Sequence, residues 1–222
     1  MQFQPTTSTA CRIRNRPKHA ASPNRGHHQS LMALVIGPRA ADTPRYPMDN
    51  ADWTLRLREV HARGILAGKT GRRSPKTMFS LEDTEFLRSI GCSAQELFDF
   101  VDDYLCDAEP DLEEVIAIQS IRRDYFLNEM SGTWTGHVAA MAELPAKSAA
   151  VDGIPWLPRL IVKARLKLRG EMPDDLMYGC GGDRPFVKRM RTSLAGFLQL
   201  VRDCGEDDRK IVDTLKRTAG IG

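Results

Sequence analysis

The feature that most constrains this chain is an internal echo at a fixed offset of one hundred residues. Laid without a gap over Asp183 to Asp203, the segment Asp83 to Asp103 repeats Asp83/Asp183, Phe86/Phe186, Ser93/Ser193, Val101/Val201 and Asp103/Asp203. Character is kept at Leu87/Val187, Arg88/Lys188, Ile90/Met190, Leu97/Phe197, Phe98/Leu198 and Phe100/Leu200. Landmarks outside the segment agree: Trp53, Arg56 and Leu57 are mirrored by Trp156, Arg159 and Leu160, and, with one residue of slip, Arg63 and Gly68 by Arg165 and Gly170. Self-similarity at this scale marks two divergent copies of one supersecondary unit.

The local pattern within each copy is helical. Trp53, Leu57, Val60 and Ile65 recur at helical spacing with Arg56, Arg58, Glu59 and Arg63 between them, and Gly68 stands where a left-handed cap would end the helix. A basic loop from Lys69 to Lys76 leads to a short helix over about Glu82 to Ile90, stopped by Gly91. Ser93-Ala94-Gln95-Glu96 is a capping box that opens a helix to about Cys106, and a second box, Asp111 to Glu114, opens one to about Asn128. Residues 144–153 read as a linker. The expected fold is therefore all-α, with a first helical unit at 48–143 and a second at 154–222. Each unit is too small for a generous core of its own, so burying the two apolar stripes against each other predicts one pseudo-symmetric body.

Residues 1–47 follow a different rule. They are rich in Pro, Ser, Thr, Arg and His and have no lasting hydrophobic period. Seven bases against the single acid Asp42 give this stretch +6, which leaves −3 for the remaining 175 residues and +3 for the chain. Three readings stand: a disordered basic tail, an Arg-rich presequence, or a stretch ahead of a true translation start at Met48, where the globular pattern begins. The basic balance belongs to this segment, which argues against nucleic-acid binding by the folded part. With no apolar run long enough to span a bilayer and no signal peptide, the expectation is a soluble, cytoplasmic protein that does not enter a membrane. Five dispersed cysteines without a Cys-x-x-Cys pair fit reduced thiols, and the histidines show no zinc spacing, so neither metal nor cofactor is expected.

The segment Gly153-Ile154-Pro155-Trp156-Leu157-Pro158-Arg159, followed by Lys163-Ala164-Arg165 and Gly170, resembles the bacterial family labelled domain of unknown function 5069. The loop Tyr178-Gly179-Cys180-Gly181-Gly182-Asp183 with Phe186 is similar to that family's short cysteine-containing loop entering a helix. The resemblance covers about residues 150–218, with a fainter copy at 50–130. It implies a fold and no activity. Val162 stands where the family tends to carry an acid, and Leu176-Met177-Tyr178 where it tends to be polar, so partners used by the family at those positions are missing here.

Two sets of residues could carry chemistry. Cys180 precedes Gly181-Gly182, and Asp183 reads as the cap of the next helix, so the helix dipole would favour a thiolate there; Ser80 is its counterpart in the first copy. Arg159, Lys163 and Lys167 recur at i, i+4 and i+8, with Arg165 to the side, and Arg159, Lys163 and Arg165 are the expected anion-binding residues. The duller reading of the stripe is a solvated face paired with Asp174, Asp175 and Asp183. The scattered acids from Asp102 to Glu114 read as caps and solvated charge, and Trp53 and Trp156 as core anchors. No Walker loop, dinucleotide fingerprint, nucleophile elbow or zincin motif is present. The leading expectation is a helical interaction or ligand-binding module whose partner is a protein or a small anionic ligand. The alternative is a small cytoplasmic enzyme or redox protein using Cys180, with the basic residues holding an anionic substrate.

Overall fold

Helix α1 starts where the apolar period starts and runs Asp52–Lys69; the computed structural model describes residues 52–221. There follow α2 (Pro75–Met78), α3 (Leu81–Ser89), α4 (Ala94–Asp107) and α5 (Leu112–Asn128). A segment without regular structure leads through a 3-10 turn, Met141–Glu143, to a two-stranded antiparallel hairpin. Its strands β1 (Ala150–Val151) and β2 (Ile154–Pro155) pair Ala150 with Pro155 and Val151 with Ile154. The remaining helices are α6 (Leu157–Arg169), α7 (Asp183–Arg189), α8 (Leu194–Cys204) and α9 (Asp208–Ala219). The fold is mainly helical. No helix among the described residues is long and apolar enough to cross a membrane. The tail readings for residues 1–47 lie outside the described residues.

The capping chemistry sets the helix starts. Ser93 accepts from the Glu96 amide while Glu96 accepts from the Ser93 amide, so α4 opens on a full capping box. Ser80 and Asp83 form a second full box at α3. Asp111 caps α5 through the Glu114 amide, but Glu114 does not reach back. Its carboxylate instead accepts from the Ala195 amide at 2.9 Å, in the first turn of α8. Gly68 is not a cap: α1 continues through it, and its bare Cα makes room for Leu105, whose Cδ1 would lie 2.3 Å from an added Cβ. The expected basic loop contains α2, with Ser74 as its cap and Pro75 at its first position.

α1 packs on α4 and α5, α5 packs on both α6 and α8, and α8 packs on α6 and α9. One continuous apolar cluster takes in Trp53, Leu57, Phe86, Leu97 and Ile118 together with Leu160, Ala164, Phe186, Phe197 and Ile211. Both sequence halves thus share one core, within a compact unit that spans Met48–Gly222. Full burial of each large aliphatic side chain here contributes about 1.5–3 kcal/mol. The 144–153 stretch, expected as a plain linker, carries one strand of the hairpin.

Candidate functional site

α6 gathers Leu157, Leu160, Ile161, Ala164 and Leu168 on one apolar face, yet all of its residues, the basic ones included, are buried or half-buried. Packing on α5, α8 and the hairpin encloses it on several sides, and its charged residues go with it. Lys163 and Lys167 are each 1% exposed. The duller reading of the stripe holds in pairing Lys163 with Asp183, but Lys163 and Lys167 are internal, not solvated, and Arg159 is half-buried.

Lys163 donates to the Asp183 carboxylate, to Oδ2, and its Nζ lies 3.4 Å from Cys180 Sγ. Asp183 has no exposed surface. Its Oδ1 also accepts from Trp156 Nε1 at 2.9 Å, and its Oδ2 from the Gly179 amide at 2.8 Å. A buried carboxylate without such partners would be strongly unfavourable, and here one ammonium and two neutral donors compensate it. Trp156 reaches this position from a left-handed backbone, φ 73°, at the start of α6, and Gly182 leaves space for its indole. It is therefore both a packing residue and a hydrogen-bond donor. Cys180 is half-buried. Asp183 is the first residue of α7 rather than its cap, which is Gly182, and α7 has only seven residues. The polar neighbour of the thiol is Lys163, not the helix start.

The first half carries the same device in a different residue. Arg63 on α1 donates to Asp83 on α3, as Lys163 on α6 does to Asp183 on α7. Burial pushes the Asp83 carboxyl up, but the hydrogen bonds from Arg63 and Ser80 outweigh it and hold the group below its ordinary value. The base thus obeys the same one-hundred-residue offset as the acid. Sequence comparison matched Arg63 to Arg165 instead, because the Trp and Gly landmarks are slipped by two or three residues relative to the acids.

The three expected anion-binding residues do not converge. Arg159 donates to the Pro145 carbonyl at 2.7 Å and holds the stretch before the hairpin. Arg165 lies about 200° round the helix from Lys163 at 100° per residue. It donates to the Gly205 carbonyl at 2.7 Å and pairs with Asp208 at 2.6 Å, between α8 and α9. Only Lys163 and Cys180, of the residues expected to carry chemistry, are brought together.

Further ionic links join the two halves and were not foreseen. Lys167 donates to Glu96 of α4 at 2.9 Å. Burial raises the Glu96 carboxyl, and Lys167 with the Ser93 amide more than offsets this, so it is held below its ordinary value. Arg184 of α7, 7% exposed, reaches Asp103 at 2.8 Å, Asp107 at 3.2 Å and Glu109 at 3.4 Å. Several acids read as simple caps therefore belong to this cross-link. Arg122 of α5 is wholly buried between Phe126 and Trp134, and its Nε and Nη2 have no hydrogen-bond partner. Burial pushes its guanidinium down from the ordinary value, partly offset by Glu96.

Cys92, Cys180 and Cys204 carry free thiols, whereas Cys106 does not. Burial pushes the Cys92 thiol up to about 12. No group of three or more His, Cys, Asp or Glu residues placed to hold a metal occurs among the described residues. Compared with protein families, curated proteins and solved structures, the chain matches none of them.

Proposed function

We propose that this chain is a helical interaction module, built from two divergent copies of one unit, that acts by presenting a surface to a protein partner. The observation that carries this reading is the inward turn of its chemistry. Lys163, Lys167 and Arg184 are spent on Asp183, Glu96 and Asp103, and Arg159 and Arg165 on backbone carbonyls. These residues stabilise the scaffold and are not arranged around a small anion.

Apolar side chains left outside support a contact face. Leu55 and Leu66, 58% and 62% exposed, stand three helical turns apart on one side of α1, with exposed Ala62 between them. An amphipathic partner helix is the occupant whose apolar stripe matches that spacing. Membership of the domain of unknown function 5069 family belongs to the same proposal and rests on the Leu-Pro-Arg, Lys-Ala-Arg and cysteine-loop resemblance.

The test uses the full chain with a photo-crosslinking residue in place of Ala62. The expected result is one discrete crosslinked partner, lost on Leu55→Glu with Leu66→Glu and unchanged on Cys180→Ala. A crosslink to a second copy of the chain, or capture that persists after both leucines are replaced, overturns the reading.

A further inference from the structure

Lys163 and Cys180 form a pairing that the fold does not require. Asp183 already satisfies the Lys163 charge, and the first half makes its equivalent ion pair with Ser80 at the position of the thiol. The structure nonetheless sets Cys180 Sγ 3.4 Å from the Lys163 amine. Cys180 is half-buried and is followed by exposed Gly181 and Gly182, whereas Lys163 is enclosed.

We infer that Cys180 and Lys163 are an oxidation-driven covalent switch, in which hydrogen peroxide converts the contact into a sulfur–nitrogen bond. In the first step peroxide transfers one oxygen to sulfur: Cys180 thiol and hydrogen peroxide give the sulfenic acid and water, sulfur losing two electrons and the O–O bond breaking. In the second step Lys163 gives a proton to Asp183, its accepting partner, and the free amine attacks sulfur. The S–N bond forms as the S–O bond breaks. The departing hydroxide takes a proton from the attacking nitrogen and leaves as water, and Asp183 returns its proton to solvent. Sulfenic acids are known to condense with nitrogen nucleophiles as well as with thiols, and a second thiol in reach is not needed. An external thiol reverses the step by attacking sulfur, giving a mixed disulfide and restoring the amine.

Bond formation has a structural consequence. It removes the ammonium that compensates Asp183, so the buried carboxylate at the start of α7 loses its counter-charge. Oxidation at Cys180 is thereby coupled to the packing of α6 on the 178–183 loop. Cys92 serves as an internal control, since its thiol is 2% exposed and pushed up to about 12.

The experiment treats the full wild-type chain with hydrogen peroxide, blocks remaining thiols, digests with trypsin and measures peptide masses. The expected product is the peptide 160–165 joined to the peptide 170–188, about 2 Da lighter than their sum, uncut at Lys163 and released by dithiothreitol. Lys163→Arg keeps the charge and removes the nucleophile, so dimedone should then trap Cys180 as the sulfenic acid. The inference is overturned if dimedone traps Cys180 in the wild-type chain with no joined peptide. It is equally overturned if Cys180 is no more oxidised than Cys92. The wild-type measurement decides even if the Lys163 variant fails to fold.

Discussion

At the residue scale, a small set of ionisable side chains, among them His61, Arg122, Lys163, Lys167 and Asp183, behaves as interior residues. His61 on α1 is 4% exposed, its ring packs edge-on to Tyr104, and its Nε2 has no partner. Burial disfavours the imidazolium and lowers the His61 value below 6.5. A group depressed in this way leaves stability intact above the unfolded value and erodes it as pH falls below that value, because the unfolded chain takes up the proton first. The unfolding free energy from denaturant titrations run from about pH 7.5 down to about 5.5 should therefore fall for the wild type, by at most about 1.4 kcal/mol per pH unit from this site. In His61→Phe that slope should flatten; an unchanged slope would assign the loss to another group.

The residue scale is also where sequence reading was least informative. Cationic residues at i, i+4 and i+8 look the same whether the helix faces water or a core. The amphipathic pattern of α6 points to an exposed basic face, and only packing against α5 and α8, distant in sequence, encloses Lys163 and Lys167. Arg122 offered no local signal either. Its burial depends on Trp134 folding back over α5 from a segment without regular structure, a contact that no local pattern encodes.

At the element scale, local chemistry was largely legible. Ser93, Asp111 and Gly91 mark helix boundaries for reasons contained within four or five residues, and the structure places caps and a positive-φ glycine there. Gly68 shows where local reading fails: a glycine inside a helix, kept small by a neighbour distant in sequence, looks like a terminator. Gly182 is a second glycine set by a long-range contact. An added Cβ would lie 2.6 Å from Trp156 Cζ2, whereas at Gly181 the nearest heavy atom would be Nη2 of Arg184 at 3.7 Å, an ordinary contact. Gly182→Ala should push the indole off Asp183 and cost about 1–3 kcal/mol in urea denaturation, with a shifted tryptophan emission. Gly181→Ala should be close to neutral. Equal effects would mean that Trp156 is not held as described.

At the scale of the whole molecule, the helices before and after the hairpin share one core. They are also tied by charges: Lys167 to Glu96, Arg184 to Asp103, and Glu114 to the start of α8. The sequence indicated that the apolar stripes would be buried against each other. It did not indicate that a polar seam would run beside them, because each link needs partners about 70 to 80 residues apart.

The most direct test of the claim that inward-turned charges bind the halves into one body is native-state hydrogen exchange on Lys167→Met. The substitution keeps the volume and leaves Glu96 buried without its principal counter-charge, a loss of about 3 kcal/mol. The account predicts that amide protection falls by a similar amount in α4 and α5 and in α6 and α8, because they open together. Protection lost in α6 to α9 alone, with α1 to α5 unchanged, would contradict it and make the halves independent.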